Sequence, residues 1–377
     1  MKKIVVGMSG GVDSSVAAAI LMEQACLRRQ GHEVTGVYIE AYNEPGCRAD
    51  EDKRDALKVA TQLGISFEVL DLRKEYRESV VKYFYDEYKS GRTPNPDIVC
   101  NLEIKFGLFL DWALEQGYDK VATGHYARIV EKQGSELNRQ SSEPCFLLQS
   151  AVDAGKDQSY FLWRVTPDRL EHVLFPLGEM TKVQVRAKGK ELGLPNYDKP
   201  DSMGVCMMGE LDVARKLREE LGERGGEVVM GGEEVGKHNG LWFSTVGQRV
   251  GQEISLKGQA LKAVGIDTTK MPALYVIGKN VKENQVIIGD RIEGEVNQVK
   301  LKEARWYGDY PRLWREAGSA LRLRIRNLGK MILISSLEEN NDEWVIRLEK
   351  DVWGVAAGQS AVVYDDEGRV VGGGEIV

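Results

Sequence analysis

The opening fifteen residues constrain this chain more than any other stretch. Ile4-Val5-Val6 is a short apolar, β-branched run, residues 7–15 form a turn rich in Ser and Gly, and residues 16–21 are strong helix formers. That order reads as strand, loop and helix N-terminus. Gly10 and Gly11 let backbone N–H groups come close to a ligand, while Ser9, Ser14 and Ser15 add hydroxyls. The helix start contributes partial positive charge, so the guest that suits this loop is a phosphate. It is not a Walker A loop, because no lysine follows the glycines.

Beyond the loop, strands alternate with helices. Residues 33–39, 67–72 and 120–124 read as strands, and residues 50–63, 105–116 and the segment through Val80, Val81, Phe84 and Tyr88 as helices. The alternation predicts a doubly wound parallel sheet with helices on both faces and ligands beyond the carboxyl ends of its strands. Residues 131–144 read as a polar excursion, a strand resumes at Phe146, a further helix closes at Gly193, and residues 198–209 are loop-rich. After about residue 210 the alternation stops. We expect an α/β domain over 1–210 and a small central connecting domain over 211–293. Short alternating strands over 294–377 predict a C-terminal antiparallel β-barrel.

A chain of 377 residues has room for two or three such domains. No apolar run approaches a membrane span, the first residues enter a strand directly, and five scattered cysteines form no disulfide framework, so a cytoplasmic, non-membrane protein is expected. The formal net charge of −7 argues against indiscriminate nucleic-acid binding but allows a local basic surface.

Two cysteines stand out by their surroundings. Cys100 closes a loop stiffened by Pro94 and Pro96, just before a helix, where a thiolate is favoured. Cys206 lies in an apolar loop between Gly204 and Gly209. Either is also what a small buried hydrophobe would look like. Cys26, Cys47 and Cys145 have no such setting, and the separations argue against a metal site.

Seven segments occur in one order. They are Ser9-Gly10-Gly11-Val12-Asp13-Ser14, the run from Thr93-Pro94-Asn95-Pro96-Asp97 to Cys100-Asn101, Ala122 to Ala127, Lys156-Asp157-Gln158-Ser159-Tyr160, Gly204-Val205-Cys206, Gly247-Gln248-Arg249 and Ala357 to Val362. The first resembles the pyrophosphate loop of the ATP pyrophosphatases, with their adenine nucleotide alpha hydrolase-like, Rossmann-like fold. The full set resembles the tRNA-specific 2-thiouridylases over essentially the whole chain. Two departures, Met207-Met208 after the second cysteine and Ala357 in place of a proline, touch no chemical position.

The resemblance implies ATP with Mg²⁺, and tRNA of the Glu, Gln or Lys type thiolated at its wobble uridine. It also implies a persulfide donor such as a cysteine desulfurase or sulfur relay protein. A uridine C2 oxygen is an impossible leaving group until it is adenylated; a persulfide on Cys206 then supplies sulfur. Cys100 completes the exchange, attacking that persulfide or releasing sulfide as a Cys100–Cys206 disulfide forms. Gly7, Met8, Ser9, Gly10, Gly11, Val12, Asp13 and Ser14 would hold phosphates, with Ile39 and Gly124 near the adenine. Asp13 either assists Mg²⁺ or caps the loop.

Asp97 is a general acid/base or a helix cap. Asn95, Pro96 and Asp97 would meet a target base that has left the stack. His125, Lys156, Asp157, Gln158, Arg324, Ile325 and Gln359 are the further implied tRNA contacts. Each has a plainer reading as core packing or solvated charge. Arg322, Arg324 and Arg326 alternate with Leu323 and Ile325, which makes them a phosphate track or an ordinary exposed strand face. The competing functions are a small-molecule synthetase or ligase with the same loop, which leaves both cysteines idle, and a non-catalytic RNA-binding or sulfur-carrier protein.

Overall fold

The computed structural model describes residues 2–27, 32–43, 48–132, 145–201, 207, 212–308, 320–341 and 343–377. The opening strand β1 (Lys3–Gly7) lies at the centre of a five-stranded parallel sheet of order β3-β2-β1-β4-β7. Its partners are β2 (Glu33–Glu40), β3 (Ser66–Asp71), β4 (Lys120–Ala122) and β7 (Val173–Leu174). Alternation along β1 explains why every apolar residue is buried. Ile4 and Val6 pack into a core with Val16 and Ala17 of α1 (Val12–Leu27) and with Ala56, Val59 and Ala60 of α2 (Ala49–Leu63). Val5 faces the opposite core, beneath Phe106, Phe109, Leu110 and Ala113. The doubly wound expectation holds: a parallel sheet needs both faces covered.

Two helices carry wide π turns. Residues 73–89 are helical with a π segment at Arg77–Val81, and residues 96–115 are helical with a π segment over Cys100–Leu108. The second helix begins at Pro96, earlier than the expected 105. Proline fixes φ near the helical value and lacks only an N–H that the first turn does not use, so here Pro96 starts the helix. The helix Lys182–Glu191 starts in a capping box at Thr181 and Gln184, and packs on α1. Its Gly189 makes the close approach possible, since a Cβ there would lie 3.3 Å from Val12 and 3.4 Å from Val16.

A hairpin of β5 (Ala127–Lys132) and β6 (Cys145–Ser150) follows β4; of the expected polar excursion, residues 131 and 132 are strand and 133–144 lie outside the described residues. A second sheet, β10-β9-β8-β12-β11, comprises β8 (Gly226–Met230), β9 (Glu233–His238), β10 (Ile254–Leu256), β11 (Tyr275–Asn280) and β12 (Gln285–Gly289). It is antiparallel except where β8 meets β12, and has its own core around Val228, Val235, Val276 and Ile288. The last six strands are β13 (Glu295–Trp306), β14 (Arg322–Arg324), β15 (Ile332–Asn340), β16 (Glu343–Trp353), β17 (Ser360–Tyr364) and β18 (Val370–Ile376). They close into the expected barrel, which leaves no free edge. The barrel core runs without interruption into the face of the first sheet that Val5 occupies. Among the described residues no helix is long and apolar enough to cross a membrane.

Candidate active site

The Ser/Gly loop sits where β1 delivers it, at the carboxyl edge of the sheet. Ser14 Oγ accepts from Ser9 N at 3.1 Å and donates to the Gly11 carbonyl at 3.1 Å; Ser15 Oγ donates to the same carbonyl at 2.9 Å. These bonds fold residues 9–15 over the start of α1, and Gly10 takes φ +75°. Gly124, just past β4, lies against that helix start: a Cβ would come within 2.6 Å of Ser14 N. Gly7, Met8, Val12 and Ile39 complete the edge, with Met8 N bonded to the Val37 carbonyl at 2.8 Å.

A lysine from far along the chain meets the loop's carboxylate. Lys182 Nζ lies 2.7 and 2.8 Å from the two carboxylate oxygens of Asp13 and 2.8 Å from Asp201 Oδ1. Tyr126 Oη donates to Asp13 at 2.8 Å, and both burial and the Asp13 charge push its phenol well up. Lys156 and Arg186 also hold Asp201, at 2.6 and 2.7 Å. Burial works against ionisation of Asp201, but its bonds to Lys156 and Lys182 outweigh this and hold its pKa at about 2. Lys199 Nζ binds the Gly10 carbonyl at 3.2 Å together with Asp52 at 2.8 Å and Asp55 at 2.7 Å; Asn196 Nδ2 binds Gly10 O and Ser15 Oγ, both at 2.9 Å. Sequence reading missed Tyr126, Lys182, Asn196, Lys199 and Asp201. The one available signal was the lysine at the first position of a capped helix, where the dipole disfavours a cation.

Cys100 is fully buried in a cluster with Ala41, Leu72, Tyr76, Val80 and Ile104, at the ends of β2 and β3. Ile39 and Met207 pack against that cluster. Cys206 lies outside the described residues, as do Cys47 and the 210/211 border; Met207 is the residue after it. Cys145 is a free thiol whose pKa burial raises.

One helical turn earlier, a cavity of about 310 Å³ is lined by Pro94, Asn95, Pro96, Asp97 and Gln359 with Phe84, Tyr88, Phe161, Val213 and Asn327. The barrel holds this loop in place. Gln359 Nε2 donates to the Thr93 and Pro94 carbonyls at 3.0 and 2.9 Å, and Thr93 N donates to the Ala357 carbonyl at 2.8 Å. Gly358, at φ +88°, touches the loop so closely that a Cβ would lie 2.9 Å from the Thr93 carbonyl. Lys279 of β11 reaches the Gly91 carbonyl at 3.0 Å from the other side.

Other expected contact residues have different surroundings. Asp157 (1% exposed) and Arg324 pair at 2.6 Å, and Asp157 also accepts from Ala151 N, Ser159 N and Ser159 Oγ. That carboxylate bolts the barrel to the first domain. Arg322 pairs with Asp366 and Arg326 donates to the Trp353 carbonyl, so the three arginines of the expected phosphate track form no common free face. Ile325 is buried. His125 is buried between Phe106 and Phe175, bonded to Thr123 at 2.7 Å and facing Lys105; burial, then the Lys105 charge, pushes its pKa well down. Gln158 accepts from Tyr126 N at 2.9 Å.

Three family models match in succession: the tRNA methyl transferase HUP domain over residues 2–210, the tRNA methyl transferase PRC-barrel domain over 215–290, and the aminomethyltransferase beta-barrel domain over 296–376. The chain is 37% identical to the tRNA-specific 2-thiouridylase MnmA of Bacillus subtilis over 99% of its own length and 94% of that protein. It belongs to the tRNA-specific 2-thiouridylase family. The 2-thiouridylases of Chromobacterium violaceum (37% identity, 100% of this chain and 92% of that protein) and Akkermansia muciniphila (43%, 77% and 75%) are similar in the same way.

Proposed function

We propose that this chain uses ATP to exchange the C2 oxygen of a tRNA wobble uridine for sulfur, releasing AMP and pyrophosphate. The observation that carries the reading is the position of Cys100 in a buried cluster against which both Ile39, at the sheet edge, and Met207, the neighbour of Cys206 in sequence, pack. Adenylation places the C2 oxygen on the α-phosphorus as pyrophosphate leaves. The terminal sulfur of a Cys206 persulfide attacks C2, and AMP departs with the oxygen. Cys100 thiolate then attacks the Cys206 sulfur; the S–S bond breaks toward C2, leaving a thiocarbonyl and a Cys100–Cys206 disulfide. If Cys100 attacks the persulfide first, released hydrosulfide is the nucleophile and the same disulfide results. Either route needs an external thiol to reduce the pair before the next turnover.

Asn95, Pro96, Asp97 and Gln359 line the cavity offered to the flipped base, with Asp97 as its proton carrier. Mg²⁺ would arrive on the ATP phosphates, with Asp13 as the loop's own carboxylate to assist it; no cluster of three or more potential ligands stands ready among the described residues. Half-buried Lys156 and Gln158 are candidates for tRNA contact. Methyl transfer, the activity in two of the family-model descriptions, would leave the phosphate loop and Cys100 without work. Domain borders near residues 210 and 293 and a desulfurase-type sulfur donor complete the proposal.

The decisive experiment is single-turnover thiolation of unmodified glutamate tRNA with ATP, Mg²⁺ and a persulfide source, read as 2-thiouridine by nucleoside mass spectrometry. Wild type should thiolate, and Cys206→Ser and Cys100→Ser should not. Thiolation that survives Cys206→Ser overturns the sulfur route, and ATP cleavage without tRNA thiolation points to a small-molecule synthetase.

A further inference from the structure

We propose that Asn327 reads the target base: its side-chain amide accepts from uracil N3–H and donates to O4, which selects uridine over cytidine and leaves O2 free to react. The inference deepens the reading above and rests on the cavity at Asp97 being the seat of the flipped base.

The base sets the requirement. O2 is the atom to be adenylated, so recognition has only the N3–H donor and the O4 acceptor to use. Cytosine presents the reverse pattern, an acceptor at N3 and a donor at N4. A reader must therefore carry one acceptor and one donor side by side, which a carboxamide does. An ionised carboxylate such as Asp97 only accepts.

Three carboxamides line the cavity, Asn95, Asn327 and Gln359. Two of them serve the loop and its packing. Gln359 Nε2 donates to the Thr93 and Pro94 carbonyls, and its Oε1 lies 3.5 Å from Asn95 Nδ2. The Asn95 side chain also bonds the Tyr160 hydroxyl. Asn327 is different: its Oδ1 is buried with no partner among the described residues. A buried amide oxygen with nothing to accept from is unfavourable in the free chain, and an N3–H arriving with the base removes that deficit.

The chain holds this amide in place through its neighbours. Asn327 follows β14 by three residues. Arg324 pairs with Asp157 at 2.6 Å, the Ile325 carbonyl lies 3.4 Å from Tyr160 Oη, and Arg326 donates to the Trp353 carbonyl at 2.6 Å. Gly329 N then donates to the Arg326 carbonyl at 3.0 Å and closes the turn. A polar group left unspent on a segment so firmly tied is preorganised for a guest. Tyr88 and Phe161, also in the cavity wall, offer aromatic rings on which a base can stack.

The test measures dissociation constants for glutamate tRNA carrying uridine, cytidine or an abasic site at the wobble position, with a non-hydrolysable ATP analogue present, alongside single-turnover thiolation. Wild type should bind the uridine form about 10–100-fold more tightly than the cytidine form, and Asn327→Ala should abolish that preference. Affinity for the abasic form should stay within about twofold of wild type, because phosphate contacts are untouched. Asn327→Asp keeps the shape but only accepts, so it should lose uridine and gain on the cytosine N4–H, taking the ratio to about one or below. A folded Asn327→Ala chain with the wild-type ratio overturns the proposal, as does a wild type that thiolates tRNA yet binds both bases alike. Loss of the preference in Tyr88→Phe but not in Asn327→Ala hands the reading to Tyr88 and overturns it too. If the alanine variant does not fold, Asn327→Asp and Asn327→Leu decide, and an unchanged ratio in either overturns it. A preference that depends on Asn327 in a chain that never forms 2-thiouridine would sink the chemistry proposed above and leave this inference standing.

Discussion

The two halves of the site are built in different ways. The phosphate half is fixed within the first domain: β1 delivers the loop, Ser14 and Ser15 tie it internally, and Lys182, Asn196 and Lys199 brace it from one neighbouring helix and the loop after it. The Thr93–Asp97 half is held from outside. Gln359 and Ala357 of the barrel grip the loop backbone, Lys279 of the second sheet grips Gly91, and Phe84 of the preceding helix packs with Leu217, Trp242 and Phe243. A nucleotide-binding element that many chemistries share can be local. The cavity at Asp97, proposed above for one base of a large substrate, gains its shape only when three domains dock, which makes its shape sensitive to changes far from it.

The largest effect expected from breaking this arrangement is at the point where the halves meet. Cys100→Ser should lower single-turnover thiolation by about three orders of magnitude or more, with ATP-analogue affinity unchanged, because in the proposed route the thiol is the shared reactant. Retained thiolation would separate the halves functionally.

Asp157→Ala tests the bolt between barrel and first domain. It strands the Arg324 guanidinium in a dry interface, and chemical denaturation should show a loss of about 3–5 kcal/mol. A loss under about 1 kcal/mol would mean that the barrel docks without this pair, and the external-support account of the base loop would weaken.

Gly358→Val adds a branched side chain at φ +88° against the Thr93 carbonyl. Displacing the loop by about an ångström should cost about 10²-fold in thiolation while leaving ATP-analogue binding intact. Equal losses in both would contradict the division of labour.

The smallest effect concerns Lys279, whose amine burial lowers from an ordinary 10.5 to about 8. Between those values the unfolded chain binds the proton more tightly, so unfolding takes up protons and stability rises with pH; the penalty is fully present below about pH 8. Wild type should therefore gain about 1–2 kcal/mol relative to Lys279→Met between pH 7.5 and pH 10 by denaturant titration. Parallel curves would show that the amine is well solvated and grips Gly91 only loosely.

Much of the fold was legible in the sequence because its signals are local. The β-branched run of β1, the Ser/Gly turn and the alanine-rich start of α1 specify a strand, loop and helix whatever surrounds them, and period-two patterning specified β14 to β17. The helix at Pro96 was misplaced because proline serves both extended loops and first turns, and packing of Ile98 and Phe106 under the sheet decides between them. Arg324 shows the same limit in the site: alternation places its side chain on one strand face, but only the docking of Asp157 makes that face an interior. The sequence by itself determined that a Ser/Gly loop between strand and helix, a Pro-stiffened cysteine and a terminal barrel are present, since each is written in contiguous residues. Tertiary structure alone decided that Lys182 meets Asp13 across 169 positions and that Gln359 meets Pro94 across 265. Such contacts depend on where helices and barrels dock, and docking is set by summed burial over whole faces, which no short run of residues encodes.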